Sequence, residues 1–312
     1  MFRRADGSLT PAAYRALRDW GSVAGLVVLA IFLLTAYGLP GFDSFAYWHV
    51  DAWSPYHFDG DPGQFGAFRY SPAAAQLLAL VDWLPWHVFF YAWLAVLLLA
   101  LAWLAREWTI AMLAAPFIVL DLYMGNIEVL LAVAIVVGVR RPAAWAFVLL
   151  TKVTPGVGLL WFVVRREWRN LAIALAATGL VAGISFALAP SLWFDWPRSL
   201  LRVDGANYLP WLTPARLAAA VVIVVWGART DRPWTLVVAG TLALVWLDPK
   251  TLALLAGLGA FLPRTQDAPD GAALEAARRV LSFAGDRALE TPLVVTLRAA
   301  WAQRERAGDT PS

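Results

Sequence analysis

Apolar residues in this chain gather into long runs, cut at intervals by short polar or basic stretches. A helix needs about 20 apolar residues to cross about 30 Å of hydrocarbon. The runs at 20–37, 86–105, 171–189 and 214–226 read as full spans. Elsewhere the runs are shorter and come in broken pairs. Residues 109–120 and 127–139 flank Asp121-Leu122-Tyr123-Met124-Gly125-Asn126. Residues 143–150 and 156–164 flank Thr151-Lys152-Val153-Thr154-Pro155, and residues 234–247 and 251–262 flank Asp248-Pro249-Lys250. Arginines fall between the spans: Arg3, Arg4, Arg15 and Arg18 in a basic leader, Arg106, Arg140-Arg141, Arg165-Arg166 with Arg169, Arg229 with Arg232, and a tail from Arg264. Cytoplasmic loops carry the excess of basic residues. If all these clusters are cytoplasmic, each broken pair goes out and returns, and residues 38–85, 121–126, 152–155, 190–210 and 248–250 lie outside. The pattern therefore predicts an all-α, polytopic transmembrane helical bundle with several short broken helices and both termini cytoplasmic. The first run is expected to be an uncleaved helix, because no small-x-small cleavage site follows it.

Composition sharpens this class. Hydrophobic residues make up 61% of the 312, charged residues only 15%, and mean hydropathy is +0.63. Soluble domains carry about 25% charged residues, so lipid must cover most of this exterior. The 18 Trp suit anchoring at the headgroup level. With no Cys, disulfides, thiolate metal sites and Cys nucleophiles are excluded. No basic stripe interleaved with aromatics points to nucleic acid. Walker loops, Rossmann glycine fingerprints, HExxH and GxSxG are all missing, which disfavours a nucleotide-driven pump. Two regions are expected: residues 1–262 as the membrane domain, with 38–85 as its first external loop, and 263–312 as a cytoplasmic tail. Leu274, Val280 and Leu281 give that tail an amphipathic spacing suited to the inner leaflet.

The few polar groups within or beside the apolar runs are the candidates for chemistry. In the first external loop Asp43, Tyr47 and Asp51 would share one face of a helix at i, i+4 and i+8. Phe42, Phe45 and Trp48 would lay that helix on the membrane. A carboxylate at the lipid–water boundary is placed to take a proton from a membrane-borne hydroxyl; the bland alternative is that Asp43 only caps its helix. Of the 25 basic residues all are Arg except Lys152 and Lys250. An ammonium within a span costs about 2.5–3.5 kcal/mol, so Lys152 calls for an anion: a phosphate, Asp121 or Glu128. Lys250, in a turn after Pro249, has an easy explanation in ordinary solvation. Asn126 and Glu128 straddle a helix start, where they suit cap and dipole roles. Arg69, just before Tyr70-Ser71-Pro72, is a candidate clamp for phosphate or carboxylate. His49 and His57 with Asp51 or Asp59 match no strong metal motif, and no metal is expected.

Four stretches in order carry a resemblance. They are Asp43-Ser44-Phe45-Ala46-Tyr47; Ser54-Pro55-Tyr56; Phe68-Arg69-Tyr70-Ser71-Pro72; and Gly125-Asn126-Ile127-Glu128 followed by Lys152-Val153-Thr154-Pro155 and Arg165-Arg166-Glu167-Trp168. In these the chain resembles the polyprenyl-phosphate-mannose-dependent α-mannosyltransferases of glycosyltransferase family 87, which have the GT-C membrane fold. It departs from their pattern where Asn126 stands for Gln, Glu128 for Asn and Ser71 for Pro. The resemblance implies a multi-pass plasma-membrane enzyme of the cell envelope. It would move a sugar, expected to be mannose, from a polyprenyl-phosphate donor to a lipid or glycan acceptor outside the cytoplasm, with inversion and no other cofactor. Asp43 would be the general base. Lys152 and Arg69 would steady the leaving phosphate, with Tyr47, Asp51, Tyr70, Asn126, Glu128 and Lys250 completing the substrate-binding set. A transporter or flippase for a lipid phosphate or anion, and a non-catalytic scaffold, are the competing readings.

Overall fold

The computed structural model describes residues 10–36, 40–56, 65–201, 212–245 and 247–262. The expected amphipathic tail, together with His57 and Asp59, lies outside the described residues. Among these there are thirteen α-helices and no strand. In chain order they are α1 (Pro11–Thr35), α2 (Phe42–Trp48), α3 (Pro72–Leu78), α4 (Trp86–Ala105), α5 (Thr109–Met112), α6 (Pro116–Met124) and α7 (Glu128–Gly138). Then follow α8 (Trp145–Thr151), α9 (Leu160–Val164), α10 (Trp168–Leu188), α11 (Pro190–Leu201), α12 (Thr213–Arg229) and α13 (Thr235–Ala243). A long 3₁₀ helix, Pro249–Phe261, closes the described bundle. Residues 10–17 are the opening turns of α1 and group separately from the compact unit Arg18–Leu262.

Three helical stretches are long and apolar enough to cross a membrane: Ala12–Thr35, Trp86–Met112 and Trp168–Leu188. Their hydrophobic side chains point outward. Leu34 is 86% exposed, Leu99 70% and Leu180 66%, which in water would be an aggregating surface and in lipid is the solvated one. The chain is a helical membrane bundle. Helices α6 and α7 are long and apolar enough only when taken together, and they are bent by 108° at their break, the geometry of a broken span or a re-entrant loop.

The other expected crossings differ from the pattern. Helix α13 has 9 residues, and at 1.5 Å per residue that is about 14 Å, half a bilayer. It and Pro249–Phe261 are largely buried, with Val237, Ala239, Ala253 and Leu254 all at 0% exposure. An unbroken apolar run therefore marks protein-buried half-helices here rather than lipid-facing spans. The capping box at Asp248 explains the interruption. Its side chain accepts from Thr251 N (3.0 Å), while Thr251 Oγ1 accepts from Asp248 N (3.1 Å). Residues 190–210, expected as an external stretch, begin with helix α11. There Trp193 Nε1 donates to Ser185 Oγ (3.1 Å) and Trp196 Nε1 to the Arg69 carbonyl (3.0 Å).

At the far end of α13 from Lys250, Arg165 pairs with Glu167 and Asp231, both at 2.7 Å, and stacks on Trp161. Among the described residues Arg106, bonded to the Ala260 and Leu262 carbonyls, and Arg165 thus lie at the opposite end of Pro249–Phe261 and α13 from Lys250.

Candidate functional site

The site begins with the bend between α6 and α7. Gly125 ends α6 at φ +67°, a left-handed conformation that only Gly adopts without cost. A Cβ there would fall 2.7 Å from Ser44 Cβ, so the missing side chain also lets α2 approach. Helix α2 is pinned in place by Gly41 N donating to the Tyr123 carbonyl (2.7 Å). Trp93 Nε1 donates to the Gly125 carbonyl (2.8 Å) from α4. These contacts bring the first turn of α2 over the start of the helix Pro249–Phe261.

There the carboxylate of Asp43 takes two bonds from Lys250 Nζ, at 2.9 and 2.8 Å. The cap of α2 is Gly41, with no side-chain capping bond, so Asp43 is not a cap. Its partner is 207 positions away. Lys250 is therefore no solvated turn residue: 21% of its side chain is exposed, against 17% for Asp43.

A second ion pair joins Lys152 Nζ, at the end of α8, to Glu128 Oε1 in the first turn of α7. Glu128 is fully buried. Of the partners expected for Lys152, this is the one the fold supplies. Between the pairs lies Asp121. The sequence placed it in an external turn, but α6 runs on to Met124 and the break falls at Gly125–Ile127. Asp121 is consequently inside the bundle at 0% exposure. Neither of its carboxyl oxygens has a hydrogen-bond partner among the described residues. It interacts electrostatically with Glu128, Lys152, Asp43 and Lys250. Asp121 is the site residue that sequence reasoning named only as a counter-ion, and the missed signal was an acid inside an otherwise apolar helix.

Tyrosines complete the arrangement. Tyr47 OH donates to Asn126 Oδ1 (3.0 Å) and lies 2.9 Å from Tyr70 OH. With its one proton committed, Tyr47 accepts from Tyr70. Asn126 Oδ1 also accepts from Ile127 N (2.8 Å), which fixes the amide at the bend. Burial raises the pKa of both phenols, with mutual repulsion adding to it for Tyr47. Tyr70 itself is held by its neighbours: Tyr56 OH donates to the Tyr70 carbonyl (2.7 Å), and Ser71 N donates to the Leu150 carbonyl (3.2 Å). Ser71 then caps α3, with Pro72 as its first residue.

One expected site residue falls elsewhere. Helix α2 stops at Trp48, and the Asp51 side chain turns the chain by accepting from Trp53 N (2.8 Å). Asp51 thus leaves the face it was expected to share with Asp43 and Tyr47. Arg69, next to Tyr70 in the chain, is half-buried, and burial lowers its guanidinium to about 10. The aromatic side chains of α2 also pack within the protein. Phe45 stacks on Phe65 (4.2 Å) and meets Trp86 edge-on, while Trp48 packs on Trp86. The large apolar side chains most exposed among the described residues of this loop are Trp53, Leu77, Leu80 and Trp83. Among the described residues no three His, Asp or Glu come together as metal ligands.

Lysine–carboxylate pairs thus gather at one end of a broken-helix bundle, where the ammonium groups are able to meet an anion. A sequence model of glycosyltransferase family 87 matches residues 68–283. The chain belongs to glycosyltransferase family 87. Within the family 87 match lie Arg69, Tyr70, Asp121, Asn126, Glu128, Lys152 and Lys250, whereas Asp43, Tyr47 and Asp51 precede it. No curated protein and no solved structure matches the chain. Family 87 membership makes the chain a glycosyltransferase, and it favours transfer over the transport and scaffold readings.

Proposed function

We propose that this enzyme transfers a sugar, mannose in the first instance, from a polyprenyl-phosphate donor to a hydroxyl of a lipid or glycan acceptor at the non-cytoplasmic face of the plasma membrane. The observation that carries the proposal is the pair of lysine–carboxylate contacts, Asp43–Lys250 and Glu128–Lys152, gathered around Asp121 at one end of the bundle. A donor phosphate carries the charge that Lys152 is otherwise given by Glu128, and charge-assisted bonds to it are among the strongest available. The arginines at the opposite end support an external site, because basic residues collect on the cytoplasmic side.

In this scheme Asp43 accepts the proton of the acceptor hydroxyl. Each carboxylate oxygen has two lone pairs, so the bonds from Lys250 orient the group and leave a lone pair for the proton. The acceptor oxygen bonds to the anomeric carbon from the face opposite the phosphate. The bond from that carbon to the phosphate oxygen breaks, and configuration inverts. The departing phosphate gains negative charge, which the Lys152 ammonium stabilises where that charge develops. Tyr47, Tyr70 and Asn126 hold the α6–α7 bend against α2, keeping base and cation in register.

Purified protein given radiolabelled polyprenyl-phosphate mannose and a membrane lipid extract tests this. The expected result is labelled product and free polyprenyl phosphate from wild type, with Lys152→Met slowing both. Turnover unaffected by Lys152→Met would remove the phosphate site.

A further inference from the structure

Beyond the C-terminal end of α2 lies a cavity of about 830 Å³, within the size range of small-molecule sites. Its chemistry is unlike that of the lysine cluster. Among the described residues no Lys or Arg lines it, while Asp51 and Asp82 do, beside His49, so the lining disfavours phosphate and other anions. Two indoles, Trp48 and Trp53, and the amide of Gln76 share the lining. Trp48 is held rigid by its Nε1 bond to the Leu84 carbonyl (2.7 Å). Trp53 is 64% exposed. Asp51 uses Oδ1 on Trp53 N (2.8 Å), and Gln76 uses its amide nitrogen on the Ser185 carbonyl (3.5 Å). Each thereby keeps an oxygen to accept a hydroxyl proton.

Flat apolar faces beside hydrogen-bond acceptors match a pyranose, which has a C–H face and a rim of hydroxyls. A polyprenyl chain in the same place would leave the Asp51 and Asp82 carboxylates facing hydrocarbon with no compensation. Leu80 and Leu188 also line the cavity, and both are exposed apolar residues, so its mouth opens at the lipid boundary. Helix α2 links the two places. Asp43 sits in its first turn and Trp48 at its end, about 7.5 Å apart along the axis at 1.5 Å per residue, on the scale of one sugar ring.

We propose that this cavity binds a neutral saccharide unit of the membrane-borne acceptor, behind the hydroxyl that Asp43 deprotonates. The inference rests on the transferase reading above, and its test needs no transfer. The purified full-length chain in detergent is titrated with mannobiose, maltose and lactose, and tryptophan fluorescence is followed. Wild type should show a saturable change with at least one of them. Trp53→Ala and Asp82→Asn, both at exposed positions, should weaken it at least tenfold at unchanged thermal stability, and Lys152→Met should leave it unaltered. Binding of none of the three sugars, equal binding by the Trp53→Ala and Asp82→Asn variants, or displacement of the sugar by polyprenyl phosphate would each overturn the proposal. Sugar transfer by wild type alongside any of these results leaves the transferase standing. Sugar binding without transfer would leave the cavity and remove the proposed donor.

Discussion

Replacing Glu128 with Gln asks whether the Lys152 ammonium depends on its buried counter-charge. Glu128 has no exposed side-chain surface and Lys152 has 20%. The amide keeps the shape of the carboxylate but leaves the ammonium short of a charge partner in a site with little water. Exposed pairs are worth about 0–1 kcal/mol, whereas removing one member of a buried pair costs about 3–5 kcal/mol. The complete burial of Glu128 puts this pair in the second class. At roughly 2–4 °C per kcal/mol for a unit of this size, the variant should melt about 6–20 °C lower. Asp121, also in electrostatic reach of Lys152, takes part of the load and favours the lower end. Thermal unfolding in detergent, read by near-ultraviolet circular dichroism, is the assay. Glu128→Gln with Lys152→Met should recover most of the loss, because a buried pair replaced by neutral groups is often as stable as before. A shift below about 2 °C in the single variant, or a double variant no better than additive, would refute the reasoning.

Gly125→Ala should cost about 1–3 kcal/mol, since it puts a side chain at positive φ and a Cβ 2.7 Å from Ser44 Cβ; a lowered melting temperature together with lost transfer checks this. Lys250→Ala should slow transfer by less than the about 10²–10⁴-fold contributed by a general base, because it releases Asp43 without removing it; turnover at saturating donor measures it. Tyr47 and Tyr70 are raised by burial above the ordinary phenol value of 10.0. Their contribution to stability is complete below that value and is lost as pH climbs through the raised values. The melting temperature should therefore fall above about pH 10, the ordinary phenol range, and Tyr47→Phe should make that fall shallower.

Sequence reading reached the bundle and most of the site for a physical reason. Charges inside apolar runs are costly, so Lys152 announces both itself and its need for an anion, which packing supplies as Glu128. Lys250 was undervalued because its partner Asp43 lies 207 positions away, and only the packing of α2 on Pro249–Phe261 reveals the pair. Asp51 was misplaced because helical spacing was extended past Trp48, where the Asp51 side chain itself makes the turn. Asp121 was set in a turn because one acid seemed to end an apolar run, although the positive-φ Gly125 is what ends the helix. Hydropathy likewise counted α13 and Pro249–Phe261 as crossings, since an apolar run reads alike whether lipid or protein covers it.

Sugar transfer by purified wild type and Asp43→Asn, given radiolabelled polyprenyl-phosphate mannose and a membrane lipid extract, tests the central claim most directly. The asparagine keeps the size of the carboxylate and removes its capacity to take a proton. The account predicts labelled product from wild type and a loss of about 10²–10⁴-fold in the variant, the contribution of a general base. Full transfer by Asp43→Asn would show that another group carries the proton, and would contradict the account.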